Sequence, residues 1–176
     1  MGWPAWSDGD GGWSLPPRVR AVGVARPARP AYPCGIVEMQ ADATFVPCPV
    51  EDGDELFPNG IFVFNVARIL AYVARHPAEV ALVQVSVRSF PRWDRPLADA
   101  HVEAADLARP VLLAEIAPGS FNLIDGHHRL EKARRRAIET LWAHRLTAAQ
   151  HLRFLTSTRA YLAFVAYWNG KVADAR

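Results

Sequence analysis

Residues 110–146 alternate between β-type and helical patterns in a way that few folds can accommodate. The apolar runs 110–116 and 121–124, joined by a tight Pro-Gly-Ser turn, predict a pair of strands. A helix is expected from about His127 to Ala137, followed by a further strand over residues 140–146. Strands that alternate with helices predict an α/β (α+β) domain with a mixed sheet flanked by helices.

Shorter segments before residue 110 carry further signals. Residues 61–64 and 80–87 predict strands, a first strand is expected within residues 35–48, and residues 89–108 suit a loop with a short amphipathic helix. Pro58-Asn59-Gly60 is a turn signal. Asn65 is a helix-capping residue type, and His76-Pro77 ends the helix that it would begin. The apolar face of that helix is Val66, Ile69, Leu70 and Val73.

The C-terminal segment predicts one long helix. Thr147-x-x-Gln150 matches a capping box, which would open this helix, and Asn169-Gly170 is a C-cap signal that would close it. Its apolar face, at helical spacing, is expected to include Leu152, Leu155, Leu162 and Val165.

Composition separates the N-terminal segment from the rest of the chain. Residues 1–33 are rich in proline, glycine and tryptophan and show no period, so we expect a poorly ordered arm before a single domain over residues 34–176. Its tryptophans also suit anchoring to the domain or to a partner. No apolar run is long enough for a membrane span and no signal peptide is visible, so we expect a cytoplasmic protein with Cys34 and Cys48 as free thiols.

Charge is unevenly distributed along the chain. Residues 1–120 hold 10 Lys/Arg against 14 Asp/Glu, whereas residues 121–176 hold 10 against 4, although the whole chain is only at +2. The basic C-terminal part is therefore where an anionic partner, either a nucleotide or a polynucleotide, is expected to bind.

The run Asp125-Gly126-His127-His128-Arg129 lies where the predicted strand meets the predicted helix. The first backbone N–H groups of a helix and its dipole attract anions, and glycine lets a phosphate approach the backbone closely. Arg129 is suited to a bidentate phosphate contact, and His127 and His128 add donors that titrate near neutral pH. Asp125 is suited to orienting a histidine, holding a metal or acting as a base, but also to a simple helix cap.

Basic residues continue along this helix. Arg129, Lys132 and Arg136 share one face, expected to point outward, while Leu130, Ala133 and Ala137 form the face that packs on the sheet. The run Arg134, Arg135 and Arg136 broadens the basic surface and suits contact with a DNA backbone, although such a face is often merely solvated.

The stretch PVLLAEIAPGSFNLIDGHHRLEKARRRAI resembles the core of the ParB/sulfiredoxin-like superfamily, in which a strand pair leads into a Gly-x-x-Arg helix start that binds nucleotide phosphates. The resemblance covers residues 110–146 well and residues 35–109 only in the order of their elements. It implies phosphate binding by Gly126, His127, His128 and Arg129. The Asp-Gly-His-His-Arg form is most similar to the stand-alone branch that includes free serine kinases.

The chain departs from other branches of that family. Sulfiredoxins carry a catalytic cysteine where this chain has His127, so sulfinic acid reduction is not expected. Partition proteins carry Glu-Arg-Arg after the glycine, of which only the final arginine matches this chain, at Arg129. They also have a following helix-turn-helix domain, whereas a single long helix is expected here after the last strand, so a partition function is not expected. The resemblance does not assign a catalytic carboxylate: Asp125 is nearest in sequence, and Glu38 and the acidic loop 51–55 are alternatives.

The sequence thus favours a nucleotide-binding domain that takes ATP, ADP or CTP with Mg²⁺ and transfers or hydrolyses a phosphoryl group. Asp125 and His128 are the candidate catalytic residues, and metal ligands are not assignable. One alternative is a DNA-associated protein, nuclease-like or non-enzymatic. The other is an interaction module whose C-terminal helix binds a partner.

Overall fold

The computed structural model describes residues 37–93 and 96–175, so the predicted arm, residues 1–33, and Cys34 lie outside the described residues. The strands are β1 (Leu56–Asn59), β2 (Phe62–Asn65), β3 (Ala81–Ser86), β4 (Val111–Ala117), β5 (Ser120–Asp125) and β6 (Thr140–Leu146). The helices are α1 (Val66–Arg75), α2 (Asp99–Ala104), α3 (His127–Arg135), α4 (Ala148–His151) and α5 (Thr158–Ala175). Short 3-10 turns follow β3 and α4. The predicted mixture of strands and helices is confirmed, and no helix in these ranges could cross a membrane.

The described strands form two sheets. Four strands lie in the order β3-β6-β4-β5, in which β4 and β6 run parallel and the other neighbours are antiparallel, so the sheet is mixed as predicted. β1 and β2 form a separate antiparallel hairpin. The predicted turn at Pro58-Asn59-Gly60 is displaced, because Pro58 and Asn59 belong to β1 and pair with β2.

Apolar side chains cover both faces of the larger sheet. Along β4, Leu112 and Ala114 belong to one buried cluster while Val111 and Leu113 belong to another, as expected for alternating side chains. The first cluster includes apolar residues of α1, α5 and the hairpin, whereas the second includes Leu130 and Ala133 of α3. The sheet therefore has helices on both faces, and α3 is held on one of them at the end of β5.

The predicted strand within residues 35–48 is wrong for the residues that the structure describes, 37–48, which form no strand. Side chains of α5 hold this segment instead. Asn169 Oδ1 accepts from Met39 N at 2.7 Å, Asn169 Nδ2 donates to Met39 O at 2.9 Å, and the Tyr161 hydroxyl accepts from Asp42 N at 2.8 Å. Asn169 therefore does not end a helix, and α5 continues through Gly170 to Ala175. Cys48, buried at the end of this segment, is a free thiol as expected.

The prediction of a single C-terminal helix is also partly wrong, because the helical segment is interrupted near Leu155. The capping box is present, with Gln150 Oε1 accepting from Thr147 N at 2.9 Å, but it opens only the four-residue α4. Leu155 then forms an isolated β-bridge with Phe64, and its carbonyl accepts from Cys48 N. Because of this break, the residues buried after it no longer follow the helical spacing predicted from Leu152. Leu155 and Val165 are buried as predicted, whereas Leu162 is 50% exposed.

Candidate functional site

The strand-to-helix junction lies where the sequence predicts it. β5 ends at Asp125, Gly126 has a φ of +102°, and α3 begins at His127. The first helical hydrogen bond runs from Leu130 N to Gly126 O at 2.9 Å. Because Gly126 is the N-cap residue and carries no side chain, no side chain in the described part of the chain caps the first backbone N–H groups of α3.

Packing accounts for the glycine at this junction. A Cβ built on Gly126 would lie 2.6 Å from Val111 Cγ1 and 3.0 Å from Arg129 Nη2. The residue is itself buried, and its positive φ is one that side-chain-bearing residues avoid. The structure therefore gives a reason for the glycine that does not depend on the approach of a phosphate.

Asp125 and Arg129 are paired with each other. Arg129 Nη2 donates to Asp125 Oδ2 at 2.6 Å, and the two side chains are only 12% and 17% exposed. The buried Nε of Arg129 has no hydrogen-bond partner among the described residues. Asp125 thus neutralises Arg129 and forms no hydrogen bond with a histidine among the described residues, and the guanidinium that was expected to bind a phosphate already has a counter-ion.

The two histidines of the motif point to different surroundings. The ring of His127 lies 3.9 Å from that of Trp93 and 5.2 Å from that of Phe57, measured between centroids. His128 instead approaches His101 of α2, edge to face, at 5.6 Å. Burial lowers the pKa of His127 from 6.5 to about 4, so the expectation that this residue titrates near neutral pH is wrong. His127 is a neutral ring in an aromatic cluster.

The predicted outward basic stripe of α3 is wrong at Lys132. This residue is buried, and its ammonium donates to the carbonyls of Glu103 and Ala105 at 2.5 and 2.7 Å, beside the end of α2. The inward face is correct for Leu130 and Ala133, but Ala137 is exposed beyond the end of the helix.

The arginine run also makes intramolecular contacts. Arg134 donates to the carbonyls of Phe90 and Pro91, Arg135 pairs with Asp99 and Glu131, and Arg136 pairs with Glu103. The DNA-backbone role of these three arginines stays a prediction, and each of them already has a partner within the chain.

A cleft of about 230 Å³ lies along the side of α3. Aromatic rings from four separate parts of the chain form much of its wall: Phe57 of β1, Phe90 and Trp93 of the segment after β3, Phe121 of β5, and His127 of α3. Its polar lining residues are Asn59, Arg92, Asn122, Glu131 and Arg134. Sequence analysis missed this cleft because its walls are distant in the chain. The available signal was that Phe57 and Phe90 are each followed directly by a proline.

The other candidate carboxylates do not line the cleft. Asp54 accepts a hydrogen bond from Asn65 at 2.7 Å, and Glu51 pairs with Arg68, so the acidic loop is joined to the start of α1. Glu38 is likewise absent from the cleft walls. Within residues 37–93 and 96–175, no group of three or more His, Cys, Asp or Glu side chains is placed to hold a metal ion.

Comparisons with protein-family models, with curated proteins and with solved structures found no match for this chain. The ParB/sulfiredoxin-like resemblance of residues 110–146 therefore stays a prediction.

Proposed function

We propose that this protein binds a nucleotide whose ring lies in the aromatic cleft beside α3. The observation that carries the proposal is the position of His127, which is both the first residue of α3 and a wall of the cleft. A cleft with aromatic walls thereby adjoins a helix start that carries no side-chain cap among the described residues. A nucleotide joins a planar ring to an anion, and these two features match its two ends.

The walls of the cleft suit a heterocyclic ring in two respects. Trp93, 37% exposed, and the half-buried Phe57 line the cleft, and aromatic rings stack with any base because every base has a π-face. Asn122 Nδ2 donates to Asn59 Oδ1 at 3.4 Å, which leaves the amide nitrogen of Asn59 to donate to an acceptor on a base edge and the amide oxygen of Asn122 to accept from a donor there.

The reaction stays a prediction. Phosphoryl transfer to an acceptor or to water needs mainly positioning and charge neutralisation, with Mg²⁺ held largely by the phosphates of the nucleotide. Glu131, which lines the cleft, is the carboxylate that could approach such an ion, although it already accepts from Arg135. The predicted catalytic roles of Asp125 and His128 are tested by product formation in Asp125→Asn and His128→Ala variants.

Calorimetric titration of the full chain with ATP, ADP and CTP, with and without Mg²⁺, tests the binding. Trp93→Ala removes a stacking wall, and we expect it to weaken binding by about 1–3 kcal/mol, roughly five- to 150-fold. Trp142→Ala is the matched control, because Trp142 is also a partly exposed tryptophan, at 47%, but does not line the cleft. If wild type binds none of the three nucleotides at millimolar concentration, or if both variants behave alike, the proposal fails.

A further inference from the structure

A second depression adjoins the aromatic cleft at the far end of α3. This groove, about 450 Å³ in volume, is lined by Arg88, Arg92 and Arg134 together with apolar residues and one carboxylate, that of Glu139. Phe90, Arg92 and Arg134 line both the groove and the cleft, so the two spaces share a wall. One ligand is therefore able to occupy both.

The cations of the groove differ in how they are engaged. Arg134 donates to the carbonyls of Phe90 and Pro91 at 2.7 and 2.8 Å and so holds the segment that carries the neighbouring arginines. Arg88 and Arg92 are exposed and form no hydrogen bond or ion pair with another described residue. The basic residues at 129, 132, 134, 135 and 136, by contrast, all have such partners.

We infer that Arg88 and Arg92 bind the phosphate chain of a nucleoside di- or triphosphate whose ring lies in the adjoining aromatic cleft. This inference rests on the proposed function only for the position of the ring in the cleft, and it replaces the start of α3 by the groove as the phosphate site. A guanidinium without an internal counter-ion gains more from a phosphate than one already paired, because no existing ion pair has to be broken. The paired Arg129 at the helix start lacks that advantage.

Titrating the full chain with adenosine, AMP, ADP and ATP by calorimetry tests the placement. In wild type, affinity should rise as phosphates are added. In the groove variant Arg88→Ala, which changes a residue that lines the groove but not the cleft, the rise should flatten while adenosine is bound as before. In the double variant Arg88→Ala/Arg92→Ala, ATP should be bound roughly tenfold or more weakly. The control is Arg109→Ala/Arg159→Ala, which removes the same charge at two exposed arginines that line neither space and should keep the rise.

Each contrary result has a separate meaning. If wild type binds no member of the series, the proposed function fails and this inference with it. If the rise with phosphate number survives in the groove variant, the nucleotide proposal stands and the groove assignment is overturned. If wild type binds a short single-stranded oligonucleotide much more tightly than ATP, and the groove variant loses that binding, the ligand is a polynucleotide and the assignment to a mononucleotide is overturned.

Discussion

Replacing Gly126 by alanine tests whether packing or ligand access requires glycine at the start of α3. A non-glycine residue at a φ of +102° is strained by about 1–2 kcal/mol. The added methyl group would also lie 2.6 Å from Val111 Cγ1, a contact that the buried Val111 cannot relieve by moving into solvent. Overpacking of this kind costs about 1–3 kcal/mol. We therefore expect Gly126→Ala to lower the free energy of unfolding by about 2–5 kcal/mol.

Urea denaturation of the ligand-free protein measures this change, and Gly60→Ala serves as its control. Gly60 also has a positive φ, +63°, but a Cβ there would meet nothing within 4 Å. The control should therefore show backbone strain alone, about 1 kcal/mol. The excess destabilisation of Gly126→Ala over Gly60→Ala then reports mainly the contact with Val111.

A double-mutant cycle separates this contact from general damage. Val111→Ala removes the atom that the new methyl group would meet, so the double variant Gly126→Ala/Val111→Ala should be more stable than the sum of the two single changes predicts. If Gly126→Ala costs no more than Gly60→Ala, or if the two changes are additive, packing is not the reason for the glycine. The interpretation that glycine is needed for a phosphate to approach the backbone would then be favoured.

Two further predictions concern the core. Burial lowers the pKa of His151 from 6.5 to about 4. The contact of its Nε2 with Glu115 O, at 2.7 Å, opposes this shift, and its buried Nδ1 has no hydrogen-bond partner in the described chain. The neutral ring therefore contributes stability that is fully present above about pH 6.5 and is lost as pH falls toward about 4. The free energy of unfolding should fall by roughly 3 kcal/mol over this range. Urea unfolding compared at pH 7 and pH 4.5 measures this loss, and His151→Gln should reduce it. Leu155→Ala should cost about 2–5 kcal/mol because Leu155 is fully buried, whereas Leu162→Ala should cost less than about 1 kcal/mol because Leu162 is 50% exposed. Equal losses at these two leucines would contradict the break in the C-terminal segment.

Local patterns predicted the elements whose hydrogen bonds and apolar contacts are themselves local. Asn65 begins α1 by accepting from Arg68 N at 3.0 Å, three residues away, and the apolar spacing that follows is a property of one helix. β4, β5, α3 and β6 were predicted in order because each has its own periodicity and the turn between the first two is short. Interactions within a few residues leave a direct signature in sequence.

The errors fall where distant side chains decide the local structure. Asn169-Gly170 has the composition of a helix end, yet the Asn169 amide bonds the backbone of Met39, 130 positions earlier in the chain. Leu155 interrupts the C-terminal helix because its backbone pairs with Phe64 and Cys48. No spacing rule encodes these contacts, since each depends on which segments the fold brings together.

At the candidate site too, contacts that form on folding decide what the local sequence, here its charge, does not show. The excess of basic residues in residues 121–176 predicted an anionic partner for α3, but folding pairs Arg129 with Asp125 and turns Lys132 inward to the carbonyls beside the end of α2. Arg88 and Arg92 belong to the part of the chain with a net negative charge, and they line the groove without a hydrogen bond or ion pair to another described residue. The sequence gives only the number of charged residues in a segment, whereas the affinity of a surface for an anion depends on which charges remain unpaired after folding. The affinity for an anion that binds beside α3 should therefore fall more when Arg88 and Arg92 are changed than when basic residues of the segment 121–176 are changed.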